Sequence, residues 1–147
     1  MSALVTRLLG DLNAARKAQN KTLVLVLGTV LSDVRNKEIE LRREAVDDEI
    51  VDVLRKGIKR RREAIEMYVK AQRDDLVAKE RAEVEVLEKY LPPAVDHDEL
   101  RAAVRSAIAD GAKNIGGVMS AVLPKYKGRA EASVVSAIAR EELSRQG

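Results

Sequence analysis

The sequence predicts an all-α protein: an N-terminal four-helix domain followed by a small three-helix tail. Three observations carry that expectation. Apolar residues recur every three or four positions through most of the chain. Prolines occur only at positions 92, 93 and 124, so long helices can run uninterrupted before position 91. Residues suited to helix caps stand ahead of several of these apolar runs.

Taken in order, the first helix spans roughly Ala3 to Ala18, with Leu4, Leu8 or Leu9, Leu12 and Ala15 at helical spacing. A polar break at Gln19-Asn20-Lys21 separates it from a second helix over about Thr22 to Arg42. Val24 and Val26 also suit a strand, but the continuation from Asp33 to Ile39 favours helix. Asp47 is the expected cap of the third helix, with Asp48 and Glu49 facing its positive end and Val46 stapled to Val51. Val51, Leu54, Ile58, Ile65 and Tyr68 form its apolar stripe. Gly57 within it allows either close helix packing or a bend.

The fourth helix is expected to run from a cap at Asp74 to Tyr90, with Leu76, Glu80, Val84, Leu87 and Leu91 recurring every three to four residues. Glu83, Glu85 and Glu88 are expected to face outward. Leu91-Pro92-Pro93 ends it and forms a stiff hinge. The boundaries that follow are a helical domain over residues 1–91 and a tail domain over 95–147. Asp96 and Glu99 open the tail as a capping box, with Val95 and Leu100 as the staple and Gly111 as the C-terminal turn. Asn114 caps a shorter helix through Leu123. The last helix starts near Ala130.

The totals limit what the protein can do. With 147 residues and 46% hydrophobic content there is material for one ordinary domain or two small ones. Absence of cysteine excludes disulfides, thiol nucleophiles and thiolate metal sites. The N-terminal residues lack the order of a signal peptide, and the apolar run Leu23 to Val30 is too short to span a membrane. A cytoplasmic protein without membrane contact is the simplest expectation. The formal charge of +3 agrees with a polyanionic partner without requiring one.

No catalytic constellation emerges, and neither cofactor nor metal is expected. Asp47-Asp48-Glu49 is explained by helix capping, and calcium would need more oxygen ligands in a loop. His97 lacks a nucleophile and an orienting partner. Gly116-Gly117 has neither the preceding strand nor the third glycine of a dinucleotide fingerprint. Arg55-Lys56-Gly57-Ile58-Lys59-Arg60-Arg61-Arg62 is dense in charge, but a helix distributes it around its circumference among abundant acids. It reads as surface charge, with Arg61 near the apolar side and able to snorkel.

The segment Leu123-Pro124-Lys125-Tyr126-Lys127-Gly128-Arg129-Ala130 differs, with three cations and one aromatic within five residues between two helices. Pro124 stops one helix, and a following helix starting near Gly128 or Arg129 would offer free amides to an anion beside Lys125, Lys127 and Arg129. Tyr126 could stack on a base or cover the tail core. Read alone, the pattern suits both phosphate contact and a plain solvated turn.

Several stretches taken together resemble the YqeY family, which is related to the C-terminal portion of GatB, a component of the aspartyl/glutamyl-tRNA amidotransferase. They are Asn36-Lys37-Glu38-Ile39-Glu40, Lys59-Arg60-Arg61-Arg62-Glu63-Ala64-Ile65-Glu66, Arg73-Asp74-Asp75-Leu76-Val77-Ala78-Lys79-Glu80, Glu88-Lys89-Tyr90-Leu91-Pro92, and Gly116-Gly117-Val118-Met119 leading to Pro124-Lys125-Tyr126-Lys127-Gly128-Arg129-Ala130. The resemblance implies a larger helical domain with a three-helix tail and a relation to carbon–nitrogen ligases that use glutamine as amide donor. It implies no catalytic role for this chain, since amidation occurs elsewhere in that enzyme. It implies tRNA as the partner, with no DNA specificity, and Lys125, Tyr126, Lys127, Gly128 and Arg129 as the RNA contacts. A protein-interaction adaptor without RNA binding is the alternative.

Overall fold

A computed structural model describes residues 1–93, 95–126 and 129–146. The described residues form seven α-helices and one short 3₁₀ turn, with no strand. They fall into two compact units, Met1–Leu91 and Pro92–Gly147.

The first unit holds α1 (Ala3–Lys17), α2 (Lys21–Leu41), α3 (Asp47–Lys70) and α4 (Asp74–Glu88). α1 packs chiefly on α2, and α3 chiefly on α4. The turns are tight because Gln19, Arg42 and Gln72 each adopt a left-handed conformation, with φ of 56°, 58° and 55°. Leu8, Leu27, Ile50, Leu54 and Leu87 are fully buried in one aliphatic core. Tyr90 joins it by an O–H that donates to Asp11, under the Arg7 guanidinium 4.6 Å from its ring centre. Burial and the Asp11 hydrogen bond push the Tyr90 phenol up to about 12.

The expected cap at Asp47 is corrected. α3 begins at Asp47 itself, behind Val46, whose side chain cannot accept a hydrogen bond. Only the reciprocal half of a capping box forms, with Val46 N–H donating to Glu49 at 3.0 Å. Asp47 instead accepts from the Leu4 N–H at 3.2 Å, near the start of α1. Val46 stays 54% exposed, so the expected staple buries little. Asp74 is likewise the first residue of α4 and not its cap, and Arg73 precedes it without a side-chain cap bond.

The outward reading of Glu83 is also overturned. Glu83 is buried, and its carboxylate takes the Arg61 Nε at 3.3 Å, while Arg61 Nη1 donates to the Gly57 carbonyl at 3.1 Å. The choice left open at Gly57 therefore falls on close packing. A Cβ there would meet Arg61 Nη1 at 3.3 Å and Leu87 Cδ1 at 3.7 Å. Gly57→Ala trades about 1 kcal/mol of helix propensity against a small displacement of that guanidinium, so near-neutral stability is expected. Gly57→Leu should cost about 2 kcal/mol by forcing Arg61 and Leu87 aside, as read from urea midpoints.

The second unit holds α5 (His97–Ala109), α6 (Ile115–Val122), the 3₁₀ turn Leu123–Tyr126, and α7 (Ala132–Gln146). Its cap and turn residues act as read, except that no bond from the Asp96 N–H to Glu99 completes the expected capping box among the described residues. The Asp96 carboxylate accepts the Asp98 N–H at 3.0 Å, Asn114 Oδ1 accepts the Gly117 N–H at 2.8 Å, and Gly111 closes α5 at φ +115°. Leu100, Val104, Val118, Val122 and Val135 form the core. Glu142 is buried as well, with Arg101 at 2.7 Å, Arg105 at 3.0 Å and Arg145 at 3.5 Å.

A candidate nucleic-acid interface in the basic turn

The turn after α6 is built by Pro124, which lies in the 3₁₀ segment after the α-helix ends at Val122. Tyr126 closes it. Its carbonyl accepts both the Arg129 N–H at 2.8 Å and the Ala130 N–H at 3.0 Å. That corrects the expected anion cradle: these two amides are already bonded within the turn. α7 starts later than expected, at Ala132, and its first backbone bonds run from Val134 and Val135 to the Glu131 carbonyl.

Lys125 and Arg129 are exposed, so their charges rather than the backbone are available to an anion. Tyr126 is half-buried against the tail core, and the Arg129 guanidinium lies 5.9 Å from its ring centre. The core-covering alternative for Tyr126 thus holds on its inner face. Lys127 and Gly128 lie outside the described residues.

Sequence reasoning missed Lys113. It is exposed just ahead of the Asn114 cap and takes part in no ion pair among the described residues. Between Asp110 and Glu131 the chain carries Lys113, Lys125, Lys127 and Arg129 and no acid, a signal that was present in the charge order alone. Gly116, Gly117, Ser120 and Ala121 form the exposed side of α6, so few side-chain atoms stand between its backbone and a large ligand.

Part of the charge elsewhere is paired. In the basic run of α3, Arg60 pairs with Asp33 at 3.2 Å, Arg61 with Glu83, and Arg62 with Glu88 at 2.7 Å. Lys56 and Lys59 remain outside ion pairs among the described residues, and they line an open groove of about 540 Å³ between α2 and α3. Glu49 binds Arg43 through both carboxylate oxygens, at 2.8 and 2.9 Å. The Arg43 hydrogen bond, followed by that from Val46, holds the Glu49 carboxyl at about 2. Within the Asp47-Asp48-Glu49 cluster, Glu49 thus serves the start of α3 and Asp47 the start of α1. Among the described residues no group of three or more His, Asp or Glu is placed to hold a metal, and no helix is long and apolar enough to cross a membrane.

Other stretches of the family resemblance are occupied in packing. Glu38 accepts the Ala45 N–H at 2.8 Å and so closes the α2–α3 turn, while Tyr90 ties the end of α4 to α1. What remains is an all-helical protein of two units whose smaller unit exposes Lys125 and Arg129 in the turn after α6.

The chain belongs to the YqeY family: the model for the Yqey-like protein family matches residues 5–143. It is 30% identical over 134 residues to the Altered inheritance of mitochondria protein 41 of Pyrenophora tritici-repentis, covering 88% of this chain and 74% of that protein. The protein of the same name from Saccharomyces cerevisiae (strain YJM789) is 35% identical over 91 residues, 61% of this chain and 49% of its own length. That from Kluyveromyces lactis is 33% identical over 103 residues, with 68% and 56% covered. The chain thus spans about half the length of the yeast relatives it matches. All three are named as mitochondrial proteins, which overturns the cytoplasmic location expected above. That expectation rested on the absence of a secretory pattern and a membrane span, and neither separates cytosol from mitochondrion.

Proposed function

We propose that this protein is a noncatalytic tRNA-associated module whose tail contacts the RNA backbone through the basic turn. The acid-free segment between Asp110 and Glu131, with its four cations, carries the reading. Point charges on a short turn suit phosphates and read no base edge, so sequence-specific recognition of DNA is not expected. The small exposed residues of α6 support it, because they let a bulky polyanion approach. The resemblance to the tail of GatB in the tRNA-dependent amidotransferase points to tRNA among polyanions.

The test is a titration of labelled tRNA at a series of salt concentrations. Binding at low salt should weaken as salt rises, and changing Lys125, Lys127 and Arg129 together to alanine should flatten the log–log salt slope by about 2–3. Absence of binding at low salt, or a slope unchanged in the triple variant, would overturn the reading. Adding Lys113→Ala should flatten it by roughly one more unit. The adaptor alternative predicts a stoichiometric protein partner that survives nuclease treatment.

A further inference from the structure

The solvent ridge of α2 is unlike those around it. Thr22, Leu25, Thr29, Ser32, Asn36 and Ile39 are all exposed and follow one another at alternating steps of three and four residues, over about 25 Å of helix. None is charged, although 35% of the chain is. The corresponding ridge of α3, through Asp52, Lys56, Lys59, Glu63 and Glu66, is charged at every step. Leu25 and Ile39, its two aliphatic residues, are 56% and 69% exposed.

We infer that this ridge is a self-association seam, in which α2 of one copy pairs in parallel with α2 of a second copy about a two-fold axis. The heptad spacing fits another helix with the same spacing, and α2 itself supplies one. In a parallel pair Leu25, Ser32 and Ile39 meet their own counterparts, as do Thr22, Thr29 and Asn36. Two asparagine carboxamides facing each other satisfy one another's donors and acceptors, and this pairing fixes register. The Thr29 hydroxyl already donates to the Leu25 carbonyl at 2.8 Å, so covering it orphans no donor.

Flanking charges select the parallel direction. Arg35 precedes Glu40 by five residues, the offset at which flanking side chains meet across a parallel pair. Arg35 takes part in no ion pair among the described residues, and Glu40 reaches Lys37 of its own helix only at 3.9 Å. An antiparallel pair with Leu25 opposite Asn36 would bring Lys21 towards the partner's Arg42. At Gly28, beside the seam, an added Cβ would meet nothing within 4 Å, so the partner helix has clearance. A six-residue seam is short, so the association is expected to be weak and driven by concentration.

Sedimentation of the full chain from micromolar to millimolar concentration should show a reversible monomer–dimer equilibrium. Leu25→Glu with Ile39→Glu should abolish it while leaving the helical signal intact, because both residues are exposed. Arg35→Glu should weaken it roughly three- to tenfold, and adding Glu40→Arg should restore it. The chain has no cysteine, so Asn36→Cys offers a single thiol that should form a disulfide-linked dimer faster than Asp52→Cys on the α3 ridge. A monomer at every concentration, or a dimer indifferent to Leu25→Glu with Ile39→Glu, overturns the inference. So does preferential crosslinking of Leu25→Cys to Asn36→Cys, the antiparallel result. RNA binding enters none of these readouts.

Discussion

Arg61→Met should destabilise the first unit by about 3 kcal/mol, because it strands a carboxylate between two helices. Glu83 keeps only 9% of its side-chain surface, and Arg61 13%. The pair therefore lies where removing one charge leaves the other with little water to recover. Arg61 also donates to the Gly57 carbonyl, so the substitution takes away a second bond at the closest approach of α3 to α4. A methionine fills much of the stem's volume, which isolates the electrostatic loss from a cavity. The second half of the prediction separates specificity from stability. Arg61→Met combined with Glu83→Leu should recover most of the loss, since a packed apolar pair is as stable as a buried ion pair or more so. A urea titration followed through resolved α3 and α4 amide resonances reads both. A single substitution costing under about 1 kcal/mol, or a double variant no better than the single, would show that the pair is solvated.

The same pair marks how far the sequence could be read. Signals contained within one helix end were legible: Asp96, Gly111 and Asn114 each bond or turn within three residues of themselves, and the structure places them as read. Roles that depend on a residue far along the chain were not. Glu83 flanks the apolar stripe of α4, and α4 alone makes it an edge residue. Its burial follows from Gly57, 26 positions earlier, which lets Arg61 lie down between the helices. Asp47 has the composition of a cap but serves α1, through a bond to Leu4 that no local pattern contains.

The basic turn follows the same rule. Its cations were legible, while the loss of its amides to the Tyr126 carbonyl depends on the 3₁₀ geometry that Pro124 sets up. Lys113 was within reach of sequence reasoning, because the acid-free interval is a property of charge order.

Acid should loosen the tail through one residue, Glu142. Its carboxyl is held at about 2 against an ordinary 4.5, first by the hydrogen bond from Arg105 and then by that from Arg101, with burial working in the opposite direction. A group whose folded pKa lies below its unfolded one contributes stability at any pH above the unfolded value. That contribution is lost as pH falls from about 4.5 towards 2, because the unfolded tail then takes up a proton the folded tail refuses. Arg101 and Arg105 on α5 and Arg145 on α7 all face the carboxylate, and Glu141 shares Arg101 at 2.7 Å. Removing the carboxylate leaves three guanidinium groups crowded at one end of the α5–α7 contact. Glu142→Gln preserves shape and should reduce amide protection in α5 and α7 on the order of 100-fold at neutral pH. It should also make what remains nearly insensitive to pH between about 4.5 and 2. Hydrogen exchange read peptide by peptide on the full chain isolates the tail from the first unit, where Glu49 titrates over the same window. Equal acid sensitivity of α5 and α7 in the parent and in Glu142→Gln would assign the acid response to other carboxylates and refute the clamp.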